Sequence, residues 1–161
     1  MEKQFVSFDI ALKLKELGFD EPCFAYFTKM KDWMITDYKG KPAAWQKYNV
    51  GNNMYLRTVT DSFGDNLHRD GKFVRNSKFT KAITNVAAPL YQQVIDWFRT
   101  KHNLFIELVI DRTAEPKFTY IITRYLGDFN WEESIMSEFL YRTYEESRED
   151  AILKAIGLCQ K

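Results

Sequence analysis

The segment APLYQQVIDWFR, residues 88–99, decides the fold. Its apolar residues recur at helical spacing, with Leu90, Val94 and Trp97 in one row and Tyr91, Ile95 and Phe98 in the next. A face that wide packs on a sheet. Pro89 falls in the first turn, where its missing N–H leaves no bond unmade. The helix is expected to end near Lys101, closed by His102 and Asn103. The run LFIELVI, residues 104–110, follows at once. It alternates Leu104, Ile106, Leu108 and Ile110 with Phe105, Glu107 and Val109, which reads as a largely buried strand. Residues 111–117 form a loop. Residues 118–125 return as a strand rich in aromatic and β-branched side chains. A short connection between the two strands makes them antiparallel.

Working outward, residues 7–17 read as a first helix. Ser7 can cap it, Asp9 complements the dipole, and Ile10, Ala11, Leu14 and Leu17 form its stripe. Lys13 and Lys15 fall toward solvent. Gly18 suits a left-handed terminator and Pro22 blocks continuation. Residues 23–28 read as an aromatic strand, residues 29–32 as a hairpin connection, and residues 33–36 as its antiparallel return. Residues 127–133 form a turn region, and residues 135–141 read as a last strand or a short helix, the strand being preferred. Thr143 and Glu146 have capping-box spacing for a final helix. Ala151, Ile152, Ala155, Ile156 and Cys159 form that helix's stripe.

Residues 37–81 are poorly patterned. Turn signals recur at 39–42, 50–53, 63–66 and 70–71, and residues 54–59 read as a third strand. So long a stretch in a compact domain is either functional or hides strands of its own. The chain is thus expected to be a single α+β domain, residues 1–161. About three helices pack on one face of an antiparallel sheet, and a long insertion at about 37–81 separates the second strand from the second helix.

With 161 residues the chain can bury roughly two thirds of its unfolded surface without a metal or disulfide staple. Aromatic residues make up 16%, a share that fits a rich core or a recognition surface. Cys23 and Cys159 have no ligand spacing and read as reduced thiols; their pairing in one disulfide stays open. Residues 1–5 lack the apolar core of a signal peptide, and no run reaches the ~18 apolar residues of a membrane span. A cytoplasmic protein with no membrane partner and no cofactor is expected.

The net charge of +1 conceals an asymmetry. Residues 29–81 hold eleven Lys or Arg against five Asp, and residues 128–150 hold eight Asp or Glu against two Arg. The two parts can neutralise each other within one molecule, or between two copies in a homodimer.

Three stretches carry a family resemblance: ALKLKELGFDEPCFAYF at 11–27, APLYQQVIDWFRTKHNL at 88–104 and YEESREDAILKAI at 144–156. They resemble small uncharacterised proteins of Bacteroidetes bacteria, their mobile elements and their phages. The resemblance covers a quarter to a third of the chain and implies an origin, with no activity attached. Residues 37–81 depart from the family pattern, being longer and more basic.

The chemistry-bearing patterns are few. Arg69, Lys72, Arg75, Lys78 and Lys81 recur every third residue, with Phe73 and Phe79 between them. Trp45, Tyr48 and Tyr55, with Lys41, Lys47 and Arg57, extend the pattern upstream. Cations neutralise phosphates and aromatic faces stack unpaired bases, so a nucleic-acid surface is one reading. A solvated loop anchored by its phenylalanines is the other, favoured by the near-neutral overall charge. His68 lies near Asp65 and Asp70 without a further ligand at metal spacing, and residues 61–65 lack the Glu of a calcium loop. His102 is expected to meet the dipole at its helix end. Glu132, Glu133 and Glu138 could pair for acid–base work, but a solvated surface explains them as well. Phe129, Trp131, Phe139 and Tyr141 among the carboxylates of 128–150 suit a protein-binding face, or capping acids beside core aromatics. No nucleotide-binding, nucleophile-elbow or zinc-protease motif occurs.

These readings point to a non-enzymatic binding module, an accessory protein of the phage or mobile-element kind, with no catalytic residue and no metal. Its contacts are expected at Trp45, Tyr48, Tyr55, Arg57, Arg69, Lys72, Phe73, Arg75, Lys78 and Phe79, for a protein or nucleic-acid partner. A nucleotide or small-ligand binder acting in counter-defence and an unrecognised enzyme are the alternatives.

Overall fold

The computed structural model describes residues 4–29, 48–49, 54–58, 74–78, 85–112, 117–128, 130–131 and 134–160. The architecture is α+β with antiparallel sheets, as the sequence predicts. The strands fall into two four-stranded sheets, and the chain divides into two compact units, residues 1–89 and 90–161.

The first unit opens with α1, Phe8–Glu16. Ser7 takes the N-cap position, and its carbonyl accepts from Ala11 N–H, but its hydroxyl makes no capping bond. The other end follows its sequence closely. Gly18 is left-handed (φ 94°), Gly18 N–H donates to Lys15 O, and Phe19 N–H donates to Leu14 O. That pair of bonds is a Schellman closure, which a residue with a Cβ would strain.

Four strands form the sheet of this unit: β1 (Ala25–Lys29), β2 (Tyr48–Asn49), β3 (Met54–Thr58) and β4 (Asn85–Ala88), in the order β2-β3-β1-β4. Two of them lie within the stretch read as an insertion. The predicted return strand at 33–36 lies outside the described residues, and β1 has β3 on one side and β4 on the other. This central strand is buried on both faces, at Ala25, Tyr26 and Phe27, and Phe8 of α1 meets Phe27 edge-on. Strand β4 was not legible: its sequence, NVAA, has two alanines and little β preference, and burial holds it in place. Ala88 therefore belongs to this strand, and the helix expected from Pro89 begins only at Tyr91.

Side chains close the outer edge of β4. Asn76, from a 3-10 turn at Asn76–Lys78, accepts from Ala87 N–H through Oδ1 and donates to Phe19 O through Nδ2. Lys15, expected in solvent, donates from Nζ to Asn85 O. Just before the turn, Val74 and Cys23 exchange two backbone bonds.

The second unit contains α2 (Tyr91–His102), β5 (Leu104–Asp111), β6 (Lys117–Gly127), β7 (Asn130–Trp131), β8 (Ile135–Met136) and α3 (Tyr144–Cys159). Strands β5 and β6 pair over eight residues, from Leu104 opposite Arg124 to Asp111 opposite Lys117. Both β7 and β8 lie along the other side of β6. Asn103 ends α2 in the left-handed region (φ 54°), and its carbonyl accepts from Tyr125 N–H, so the helix cap is also the first rung of the ladder. The strand read as largely buried is so only at Leu104; Glu107 and Ile110 are exposed. Tyr91, Val94, Trp97 and Phe98 of α2 and Ala151, Ile152, Ala155 and Ile156 of α3 are buried, and the guanidinium of Arg148 lies 3.7 Å over the Tyr91 ring. The strand expected at 135–141 is confined to β8 and a single bridge between Tyr141 and Phe118.

Asn76→Ala removes two buried hydrogen bonds, from Ala87 N–H and to Phe19 O. It is expected to cost about 2–3 kcal/mol, read as a lower urea midpoint at unchanged slope. Ser77→Ala, on an exposed neighbour, should stay within about 0.5 kcal/mol of the parent.

Candidate functional site

The final helix sets the geometry of the site. Thr143 Oγ1 accepts from Glu146 N–H and Glu146 Oε2 accepts from Thr143 N–H, the capping box read in the sequence. Tyr144 meets Phe118 of β6 edge-on at 6.0 Å between ring centroids. Two turns further along α3, Asp150 reaches the same strand. Tyr120 and Tyr141 both donate to Asp150 Oδ2, each at 2.7 Å. Their rings stack at 6.2 Å. Ser137 fixes the approach: its N–H donates to Tyr120 O, and its Oγ lies 3.2 Å from the Tyr141 hydroxyl. That Oγ also bonds the backbone of Phe139.

Burial, reinforced by the Asp150 bond, pushes the Tyr120 phenol above its ordinary range. Tyr141 is raised too, again chiefly by burial. Both hydroxyls therefore stay protonated and serve as donors. Asp150 Oδ1 has no hydrogen bond among the described residues. Asp150 lines an open pocket of about 310 Å³ whose charged walls are Asp150, Glu138 and Lys154. Ile135, Met136 and Phe139 supply the apolar wall. Met136 is 62% exposed and Phe139 67% exposed, the latter the most exposed large apolar side chain described. Leu140 is half exposed beside them. A fixed carboxylate oxygen, a second carboxylate and an apolar wall can receive a cationic group on an aliphatic stem.

None of the predicted contacts among the described residues lines this pocket. Trp45, Arg69, Lys72, Phe73 and Phe79 lie outside the described residues, as do His68, Glu132 and Glu133. Tyr48 is in β2, opposite Leu56; Tyr55 and Arg57 are in β3, opposite Thr28 and Tyr26; Lys78 ends the 3-10 turn. Arg75 donates from Nη1 to Asp20 O at 2.8 Å, which ties the 3-10 turn to the end of α1. Of the acidic–aromatic set, Tyr141, Phe139 and Glu138 come together at the pocket. Tyr120 and Asp150 were missed: they are thirty residues apart, and only the pairing of β6 with α3 joins them.

His102 departs from its expected role. It sits edge-on to Trp97 at 4.5 Å, and its Nε2 is buried without a hydrogen-bond partner. Burial, then the nearby Arg124 charge, lowers its pKa. It packs as neutral imidazole, because these effects outweigh the helix dipole.

Among the described residues no cluster of His, Cys, Asp and Glu could hold a metal ion, and no helix is long and apolar enough to cross a membrane. Neither cysteine is in a disulfide; Cys23 is buried and Cys159 half-buried. Compared with known proteins, the chain matches no family model, no curated protein and no solved structure.

Because the folded pKa of His102 lies below the unfolded value, the unfolded chain takes up a proton more readily. The stability this imidazole contributes is present above about pH 6.5 and is lost as pH falls below it. The melting temperature should drop between pH 7 and 5, and His102→Gln should flatten that drop relative to the parent. Equal slopes for parent and variant would refute the neutral-imidazole assignment.

Proposed function

We propose that this protein is a non-enzymatic binding module, an accessory protein of the phage or mobile-element kind, whose partner is a protein segment presenting a basic side chain between apolar ones. The observation that carries this reading is Asp150 Oδ1, held in place by two tyrosine donors to its sister oxygen and left open beside Glu138, Met136 and Phe139. A lysine or arginine side chain meets carboxylates at its head and apolar surface along its stem. Residues 128–150 carry eight acidic side chains against two Arg, a balance that attracts such a segment. The site has the parts of a recognition surface more than of a reaction centre. Its phenols are locked as donors, and the Ser137 hydroxyl bonds to Tyr141 and to backbone.

The test is selection from a randomised peptide display library against the full chain. Peptides with Lys or Arg flanked by apolar residues should be enriched. Their affinity should fall at least tenfold for both Asp150→Asn and Phe139→Ser, the loss of one charged contact or one apolar anchor. Enrichment of acidic peptides, or binding indifferent to both substitutions, would sink the proposal. A labelled single-stranded oligonucleotide is the counter-probe: tight, steeply salt-dependent binding would instead favour the basic–aromatic stretch at 37–81.

A further inference from the structure

The two sheets treat their edges differently. The outer edge of β4 is closed by Asn76 and Lys15. The outer edge of β5 has no strand beside it among the described residues. Which of its groups face outward follows from one bond. Tyr125 N–H donates to Asn103 O, so the pair 103–125 is hydrogen-bonded, and the alternation of an antiparallel ladder makes 105–123, 107–121 and 109–119 hydrogen-bonded as well. The N–H and C=O groups of Leu104, Ile106, Leu108 and Ile110 therefore point away from β6. Among the described residues none of the four has a hydrogen bond on that side; Leu104 is fully buried, so the accessible edge is Ile106, Leu108 and Ile110. The strand LFIELVID has no proline, lysine or bulge to discourage pairing.

We propose that β5 is a strand-addition site and that its occupant is β5 of a second copy of this chain, paired antiparallel across a two-fold axis. An edge of this kind is complementary to itself, because the same alternate residues supply donors and acceptors on both sides. Charge and burial select the register, since centring the axis on Ile106 would require the buried Leu104 to pair with Leu108. Centring the axis on Glu107 sets two carboxylates directly opposite each other, which is destabilising. Centring it on Leu108 sets Glu107 against Val109, Phe105 against Asp111 and Ile106 against Ile110, with no acid facing an acid. That register forms about six main-chain hydrogen bonds and stacks aliphatic pairs along the same face. The sheet then runs continuously through both copies. This inference stands apart from the pocket at Asp150.

Sedimentation equilibrium of the full chain between about 1 and 200 µM should show a monomer–dimer transition. Amide exchange resolved by NMR should show Ile106, Leu108 and Ile110 protected at high concentration and released on dilution. Ile110→Lys, at an exposed side chain, should weaken the dimer at least tenfold and leave the monomer's melting temperature unchanged. A chain monomeric throughout that range would overturn the proposal, as would a dimer in which these three amides exchange freely. The exchange measurement needs no variant, so it decides the matter even if Ile110→Lys disturbs folding.

Discussion

The antiparallel ladder between β5 and β6 is the constraint on which the second unit depends. Its register aligns Leu104 with Arg124 at one end and Asp111 with Lys117 at the other. Because side chains alternate, this alignment puts Phe118, Tyr120, Ile122 and Arg124 on the face that receives α3. Tyr144 meets Phe118, Asp150 meets Tyr120, and Arg124 donates to Leu158 O, so the helix follows the strand for its whole length. A slip of one residue would turn all four away from the helix. The same alternation of backbone groups decides which amides of β5 face outward, so the pocket and the open edge have one origin.

The first unit is organised around a buried polar fork instead. Asn76 joins the end of α1 to β4 through two bonds, and Arg75 and Ser77 add contacts to Asp20 on the same turn. Donors and acceptors removed from water must find each other, and one amide side chain has a group for each. The fork draws a short piece of residues 74–78 into the core, where Val74 is buried beside Cys23.

Local signals were read well. The Thr143 and Glu146 box, the Gly18 terminator, the end of α2 and the pairing of β5 with β6 each depend on a few adjacent residues or a clear period. What escaped reading depends on distant partners. Strand β4 is set by burial against β1, because NVAA has little preference of its own. Lys15 looks like a solvent-facing lysine in its helix until β4 places a carbonyl within reach. Asp150 reads as one more acid in a helix, and only the fold brings Tyr120 and Tyr141 to it. The expected contacts at 37–81 carry a composition signal, which says what a surface could attract and nothing of where its members stand. Arg75 illustrates the difference: a basic residue in a periodic run is bonded to the backbone of Asp20.

Asp150 receives both tyrosine hydroxyls on one oxygen atom. Among the described residues its second oxygen has no hydrogen-bond partner. A donor arriving at that oxygen gives up only water, and no bond inside the protein has to open first. The carboxylate is already oriented, so little side-chain freedom is lost on contact. The surface around Met136 and Phe139 can change its sequence while the tyrosine pair keeps the Asp150 carboxylate in place.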